Sequence, residues 1–274
     1  MTALKISDKE FQRLVKFIQS KYGINLSQKR ALIEGRLSKT IAERGFPNYD
    51  AYFDVAFNDE SGLETVQLVN KLTTNHTYFM REVQHFEFLR DVMLPYVEKS
   101  CASTRSAAIW CAASSSGEEP YTIAMIIDDY FGKRKQGWDL RILATDLSTD
   151  ILKKAQAGTY TAEGLKDVPQ KWKDNYFTKN PNGTYTVVDR IKKEVIFKQF
   201  NLMDPIKWKR PFDIIFCRNV MIYFDAETKN ALVERFYDVM KPGGYFLIGH
   251  AENVSKESRF KFIQPATYQR EIRR

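Results

Sequence analysis

The apolar positions of the first seventy residues repeat at helical spacing. Phe11, Leu14, Val15 and Ile18 mark one face of a helix. Ser7 and Glu10, three apart, make a capping box at its start, and Gly23 ends it. A second helix is predicted from about Ser27 to Arg44, with Leu32, Ile33, Leu37 and Ile41 inward and Gly45 and Pro47 as the stop. Two shorter helices are expected over 48–57 and 61–73, and a further one over 83–99. From Ala107 the pattern changes. Short continuous apolar runs ("AAIWCAA", "RILATD", "FDIIFCRN", "GYFLIGH") alternate with helical stretches at 118–131, 148–157 and 226–240. Continuous apolar strands separated by helices predict a parallel sheet covered on both faces. Right-handed crossovers make it an open, doubly wound α/β sheet. "FKFIQPATYQREI" suits an antiparallel closing strand.

Residues 160–200 break this rhythm. The turn signal Asn180-Pro181-Asn182-Gly183 lies between the β-prone stretches "NYFTK" and "TYTVVD". They predict a small antiparallel subdomain inserted between main strands. The domain organisation is therefore a helical N-terminal domain over 1–75, an α/β domain over 76–274, and within it an antiparallel β subdomain over 160–200.

The bulk numbers narrow the class. The chain has 274 residues, 43% hydrophobic and 28% charged, as in ordinary globular proteins. No apolar run approaches the roughly 20 residues needed to span a bilayer, and "MTALKISDKEF" lacks a signal-peptide core. Cys101, Cys111 and Cys217 are too few for a disulfide framework and form no C-x-x-C pair, so reduced thiols in a cytoplasmic protein are expected. The spacing of His76, His85 and His250 resembles no metal site, and no metal is expected. Net charge is +8, which favours an acidic partner. Residues 1–45 hold ten Lys/Arg against four acids, a balance of +6. Lys29, Arg36 and Lys39 recur along the second helix and are the candidate docking face.

Open α/β sheets bind ligands at the carboxyl ends of their strands. The first main strand runs into Ala113-Ser114-Ser115-Ser116-Gly117, whose small side chains let a ligand approach the backbone. Glu118 and Glu119 follow. They complement the helix dipole, but they repel pyrophosphate and so argue against a dinucleotide site. The second strand ends in Asp146, placed to accept from ribose hydroxyls or to cap the next helix with Ser148. Asn201 and Leu202 follow the insertion, and Arg218-Asn219-Val220 follows the next strand, with Tyr223 beyond. A nucleoside without phosphates that carries positive charge suits this set, and S-adenosylmethionine has those features.

The segments "TTNHTYFMRE", "WCAASSSGEEPYTIAM", "ATDLS", "FNLMD" and "FDIIFCRNVMIYF" occur in order. Together they closely resemble the chemotaxis-receptor glutamate O-methyltransferases, the CheR family, over nearly the whole chain. Ser115-Ser116 departs from the family's more usual Ser-Thr, and Met80 from its Phe. The resemblance implies a class I S-adenosylmethionine-dependent methyltransferase fold. It implies S-adenosylmethionine as methyl donor, S-adenosylhomocysteine as product, and glutamates in the cytoplasmic methylation region of chemoreceptors as acceptors. It implies that Asn75, Thr77 and Arg81 line the cofactor pocket. Glu119 would hold the amino-acid end, with Glu118 as the alternative, and Asp146 the ribose. Asn201 and Leu202 would flank the adenine, and Asn219 and Val220 would close the pocket. Arg81 and Tyr223 take the catalytic roles, and Lys29, Arg36 and Lys39 would meet the receptor.

Family members that grip a receptor C-terminal pentapeptide carry a longer, glycine-rich loop in the inserted subdomain. Here the corresponding stretch has one glycine, Gly183, so independence of such a tether is expected. A nucleic-acid substrate is disfavoured, since "RNVMIYF" stands where DNA amino-methylating enzymes carry an Asn/Asp-Pro-Pro-Tyr type motif, and the basic helix has few aromatics for base stacking. A non-catalytic cofactor sensor is the other alternative, opposed by the intact set Arg81, Glu119, Asp146 and Tyr223. Membrane insertion is not expected, and nothing in the sequence demands more than a monomer.

Overall fold

The structure is a computed structural model in which residues 4–73 and 76–272 are described. The chain divides into two compact units. One comprises residues 1–75 with 223–228, the other 76–222 with 229–274.

The smaller unit is helical: α1 (Asp8–Tyr22), α2 (Arg30–Glu43), α3 (Tyr49–Asn58) and α4 (Leu63–Leu72). The capping box forms as the spacing predicts. The Ser7 hydroxyl accepts from the Glu10 amide, and Glu10 accepts from the Ser7 amide at 2.8 Å. Gly23 ends α1 in the left-handed region, φ 71°. Ile33, Leu37 and Ile41 form the buried stripe of α2, facing a core with Tyr49, Tyr52 and Phe53 of α3. Leu32, expected inside, is only half-buried. Segment 223–228 joins this unit through an antiparallel bridge between Ile24 and Phe224 and a bond from the Asn25 amide to the Tyr223 carbonyl, 2.8 Å.

The larger unit opens with α5 (Val83–Phe88) and α6 (Leu94–Ser100), joined by a π-helical turn, Leu89–Met93. One continuous helix was expected here. Pro95, at the second position of α6, has no N–H to return to the preceding turn, which favours the wider winding. Next come β1 (Ile109–Ala112), α7 (Glu118–Phe131), β2 (Ile142–Asp146), α8 (Thr149–Ala157), β3 (Thr159–Tyr160), α9 (Gln170–Tyr176), β4 (Phe177–Lys179), β5 (Tyr185–Val187), α10 (Asp189–Lys192), β6 (Val195–Gln199), β7 (Phe212–Cys217), α11 (Ala226–Val239), β8 (Met240–Leu247), β9 (Lys261–Gln264) and β10 (Thr267–Gln269). The main sheet has seven strands in the order β6-β2-β1-β7-β8-β10-β9. The first five are mutually parallel, and β10 pairs antiparallel with both β8 and β9. The expected single closing strand is thus a hairpin, turned at Pro265 and Ala266 (φ 59°).

Every residue of β1 is buried. Ile109 and Cys111 face the core shared with α5, α6 and α7, while Trp110 packs against Phe200, Phe212 and Phe236 on the opposite face. Both faces are covered, which is why the strands read as unbroken apolar runs. The inserted subdomain is a three-stranded antiparallel sheet, β3-β5-β4. Its hairpin turns at Asn180–Gly183 as the sequence predicts. Two details differ from expectation. β3 is too short at two residues to leave a pattern, and residues 195–199 belong to the main sheet, where β6 pairs with β2.

Candidate functional site

The strand order reverses between β1 and β7, so the carboxyl ends of the central strands open a crevice there. The loop after β1 is strongly bent. Ala113 (φ 63°), Ser115 (φ 49°) and Gly117 (φ 97°) all have positive φ. A Cβ on Gly117 would lie 3.0 Å from both the Ala155 Cβ and the Tyr160 hydroxyl, so only glycine lets the loop settle on α8. The Tyr160 hydroxyl donates to the Ser116 carbonyl at 2.8 Å. Asp146, at the end of β2, holds the loop from the other side. Its Oδ2 accepts the Ser115 amide at 2.9 Å and its Oδ1 accepts the Ser148 amide at 3.0 Å. Burial raises its pKa above the usual carboxylate range against these bonds. The sequence left open whether Asp146 serves a ligand or the next helix. It does anchor that helix start, while Ser148 itself is the N-cap, accepting from Ile151 at 3.3 Å.

The two acids of the opening turn have different surroundings. Glu118 is buried and accepts from the Ser116 hydroxyl at 2.7 Å, and burial raises its pKa. Glu119 accepts from the Cys111 thiol at 3.1 Å through Oε1 and from the Arg218 guanidinium through Oε2. Arg218 spans three groups. Its Nη2 reaches Glu82 Oε2 at 2.9 Å and the Arg81 carbonyl at 2.5 Å. Its side chain is 1% exposed, against 14% for each carboxylate. Burial alone would raise Glu82, but the charge and hydrogen bonds of Arg218 outweigh it and hold Glu82 below the usual range.

Glu82 Oε1 also accepts from Asn219 Nδ2 and the His250 amide, both at 3.2 Å. Asn219 has φ 58° and lies against Gly249, where any Cβ would sit 2.2 Å from its Nδ2. Glu252 accepts from the amides of Gly249 (2.6 Å), Asn219 (2.8 Å) and Ile222 (3.2 Å). The loop after β7 is thus built from the chain ends around it. Met80, Glu82, Ala113, Ser115 and Asn219 are five of the seven non-glycine residues with positive φ among the described residues, and all lie at this crevice. Strain concentrated in this way marks a functional site.

These bonds link Glu119, Asn219 and the Arg81 carbonyl through Arg218 and Glu82, whereas Asp146 is tied to the Ser115 and Ser148 amides. Arg81 itself donates to the His76 carbonyl at 2.8 Å, with Thr77 half-buried between them in sequence. Asn201 and Leu202 begin one residue after Phe200, whose amide donates to the Asp146 carbonyl at 3.0 Å. Their turn is fixed by Asn201 accepting from the Met203 amide and by Arg235 reaching the Leu202 carbonyl at 2.7 Å. Val220 is half-buried beside Asn219. Asn75 lies outside the described residues. Tyr223 ends a 3-10 turn, Met221–Tyr223, and clusters with the helical unit. Lys29 and Lys39 are exposed, and Lys39 pairs with Glu43 at 3.6 Å. Arg36 departs from the expected open basic face. Its guanidinium caps α4 by donating to the carbonyls of Lys71 (3.2 Å) and Thr73 (2.8 Å).

Sequence reasoning missed Glu82, Arg218 and Glu252 as site residues. The Arg-Glu pair 81–82 and the Arg-Asn pair 218–219 carried the signal, since an Arg ending a buried strand requires an acid beside it. It also missed a histidine pair. His85 and His250 stand with ring centroids 4.7 Å apart, beside Glu82. The three cysteines are buried and free.

Small residues bare the loop backbone, and the acids Glu118, Glu119 and Asp146 lie around it, with Arg218 held between Glu119 and Glu82. That set fits a cationic nucleoside. Residues 75–269 match the S-adenosylmethionine-binding domain of the CheR methyltransferases, and residues 9–73 match their all-alpha domain. The chain belongs to the CheR methyltransferase family. It is therefore an S-adenosylmethionine-dependent methyltransferase. The chemotaxis protein methyltransferase of Borreliella burgdorferi is 38% identical over 271 residues, covering 97% of this chain and 96% of that protein. That of Escherichia coli K12 is 35% identical over 272 residues, covering 97% and 92%. A probable chemotaxis protein methyltransferase of Rhizobium etli is 36% identical over 249 residues, covering 89% and 92%. The strand order and the small antiparallel sheet are those of a class I methyltransferase with an insertion. Among the described residues, no helix is long and apolar enough to cross a membrane.

Proposed function

We propose that this CheR-family enzyme methylates glutamate side-chain carboxylates in the cytoplasmic methylation region of chemoreceptors, yielding glutamyl methyl esters. The observation that carries this reading is the match of both family domains, over residues 9–73 and 75–269, on a chain whose Arg218 joins Glu119, Glu82 and the Arg81 carbonyl. S-adenosylmethionine supplies the methyl group. Thr77, Arg81, Asn219 and Val220 line its pocket, and Asn201 and Leu202 flank its adenine. Asp146 takes the ribose hydroxyls with the lone pairs its two amide bonds leave over. Glu119 takes the ammonium. Each of its oxygens already accepts one bond and has capacity for another.

The acceptor carboxylate is ionised at neutral pH, so no base is required. The residues supply alignment and exclusion of water, which together are worth roughly 7–11 kcal/mol in well-oriented reactions. Arg81 steers the acceptor carboxylate, and Tyr223 positions it at the methyl group. Lys29 and Lys39 attract the carboxylate-rich receptor helices, with Arg36 contributing charge while it caps α4. The short hairpin between β4 and β5, with one glycine, supports recognition of the methylation region without a C-terminal pentapeptide tether.

The test is a methyl-transfer assay with radiolabelled donor, offering a receptor cytoplasmic domain and RNA in parallel. Base-labile label on the receptor supports the reading. Base-stable label, or label on RNA alone, rejects it. Tight binding of a free receptor C-terminal pentapeptide rejects tether independence.

A further inference from the structure

The larger unit holds a cluster whose two histidines the methyl-transfer chemistry does not use. Glu82 and His85 stand three residues apart at the first turn of α5, and His250 lies in the loop after β8. Their three donor atoms lie within 4.8 Å of one another. His85 is 1% exposed, yet neither of its ring nitrogens has a hydrogen-bond partner. Buried polar nitrogens without partners are rare and call for an explanation. Nδ1 of His85 is 3.4 Å from Glu82 Oε2. Two ligands 2.0–2.1 Å from a tetrahedral ion lie about 3.3 Å apart, so this separation is that of two donors sharing one metal. His250 is exposed, and its own amide is pinned to Glu82 Oε1, which keeps the ring at the cluster's solvent side.

We propose that Glu82, His85 and His250 form a binding site for a late first-row divalent metal ion, of the Zn²⁺ class. Two imidazoles and one carboxylate are the borderline donor set that Zn²⁺, Co²⁺ and Ni²⁺ prefer and that Mg²⁺ and Ca²⁺ do not. Three protein ligands leave a fourth position open towards solvent beside His250. The neighbouring Arg218 does not forbid a cation. Its single charge is shared between Glu82 and Glu119, so the three groups together carry one net negative charge. Glu82, the left-handed residue that precedes α5, brings its carboxylate back to His85 of the first turn, 3.4 Å from Nδ1. Metal at Glu82 would tie the residue after Arg81 to the loop carrying His250, linking two walls of the crevice.

The test is calorimetric titration of the full, tag-free chain with Zn²⁺, alongside His250→Ala and His76→Ala, with Co²⁺ as a spectroscopic probe. One Zn²⁺ per chain is expected, with affinity falling at least tenfold in His250→Ala and unchanged in His76→Ala, the remaining histidine. Zn²⁺ is expected to raise the melting temperature of the unmodified chain and not that of His250→Ala. Co²⁺ is expected to give visible d–d bands without a thiolate charge-transfer band. The proposal is overturned by the absence of Zn²⁺ binding, by equal affinity in His250→Ala, by equal loss in His76→Ala, or by a thiolate band, which would put the metal on a cysteine. The Co²⁺ spectrum comes from the unmodified chain, so it decides even if His250→Ala fails to fold.

Discussion

Arg218→Met tests whether the crevice is held by one buried cation. The substitution keeps volume and removes the charge that joins Glu119 to Glu82. Two charge-assisted bonds disappear, each worth about 1.5–3 kcal/mol, and two carboxylates 14% exposed lose their counter-ion. Asn219 and the His250 amide still serve Glu82, and Cys111 still serves Glu119, which limits the damage. Breaking a buried pair typically costs about 3–5 kcal/mol, and the same range applies here. For a unit of this size 1 kcal/mol moves the melting temperature by about 2–4 °C, so a fall of about 6–20 °C is expected at pH 7. The pH dependence gives a second reading with a definite sign. In the native chain Glu82 sits below its unfolded pKa, so its contribution is complete above that unfolded value and is lost as pH falls through the folded one. Without Arg218, burial dominates and the folded pKa of Glu82 rises above the unfolded value. The variant should then lose stability as pH rises through 4.5 towards neutrality, the reverse slope. Scanning calorimetry from pH 3 to 8 on both proteins measures both quantities. A fall under 3 °C at pH 7, or parallel pH slopes, would refute the account of Arg218 as the charge that sets this loop.

Further outcomes follow from the same geometry. Asp146→Ala should weaken S-adenosylhomocysteine binding at least 50-fold by calorimetry, since charge-assisted bonds to the ligand and the anchor of the Ser115 loop go together. Glu119→Gln should weaken that binding about tenfold and Glu118→Gln less than threefold, and the reverse order would move the ammonium to Glu118. Gly117→Ala should destabilise the chain by about 1–3 kcal/mol in urea melts, because its Cβ meets Ala155 and Tyr160 at a φ of 97°. Tyr223→Phe should lower turnover on receptor while leaving cofactor affinity unchanged, and unaltered turnover would remove the tyrosine from the chemistry.

The elements were legible where periodicity and punctuation agreed. Helix α7 begins and ends at the predicted residues because Gly117 and Gly132 bracket an unbroken pattern, and the α1 cap followed from two residues alone. Elements too short to show a period were not legible: β3 has two residues, and β6 hid inside a stretch already assigned to the insertion. The site shows a sharper division. Residues at a strand end, such as Asp146, can be singled out from position, because the sheet dictates what lies at its carboxyl edge. Residues that hold those residues in place cannot. Glu82 precedes Arg218 by 136 positions and Glu252 follows Asn219 by 33, and no local pattern relates them. Yet each was implied by a rule that needs no alignment. A charge at the end of a wholly buried strand must be paired, and a left-handed asparagine must have its amide satisfied. Arg36 shows the same rule acting in reverse. A basic residue on an otherwise open face was counted as recognition surface, but unsatisfied carbonyls at the end of α4 had a prior claim on it. Asking what each charged side chain must satisfy within the fold, before asking what it recognises outside, would have found the Arg218 network and the bonds of Arg36 to the end of α4.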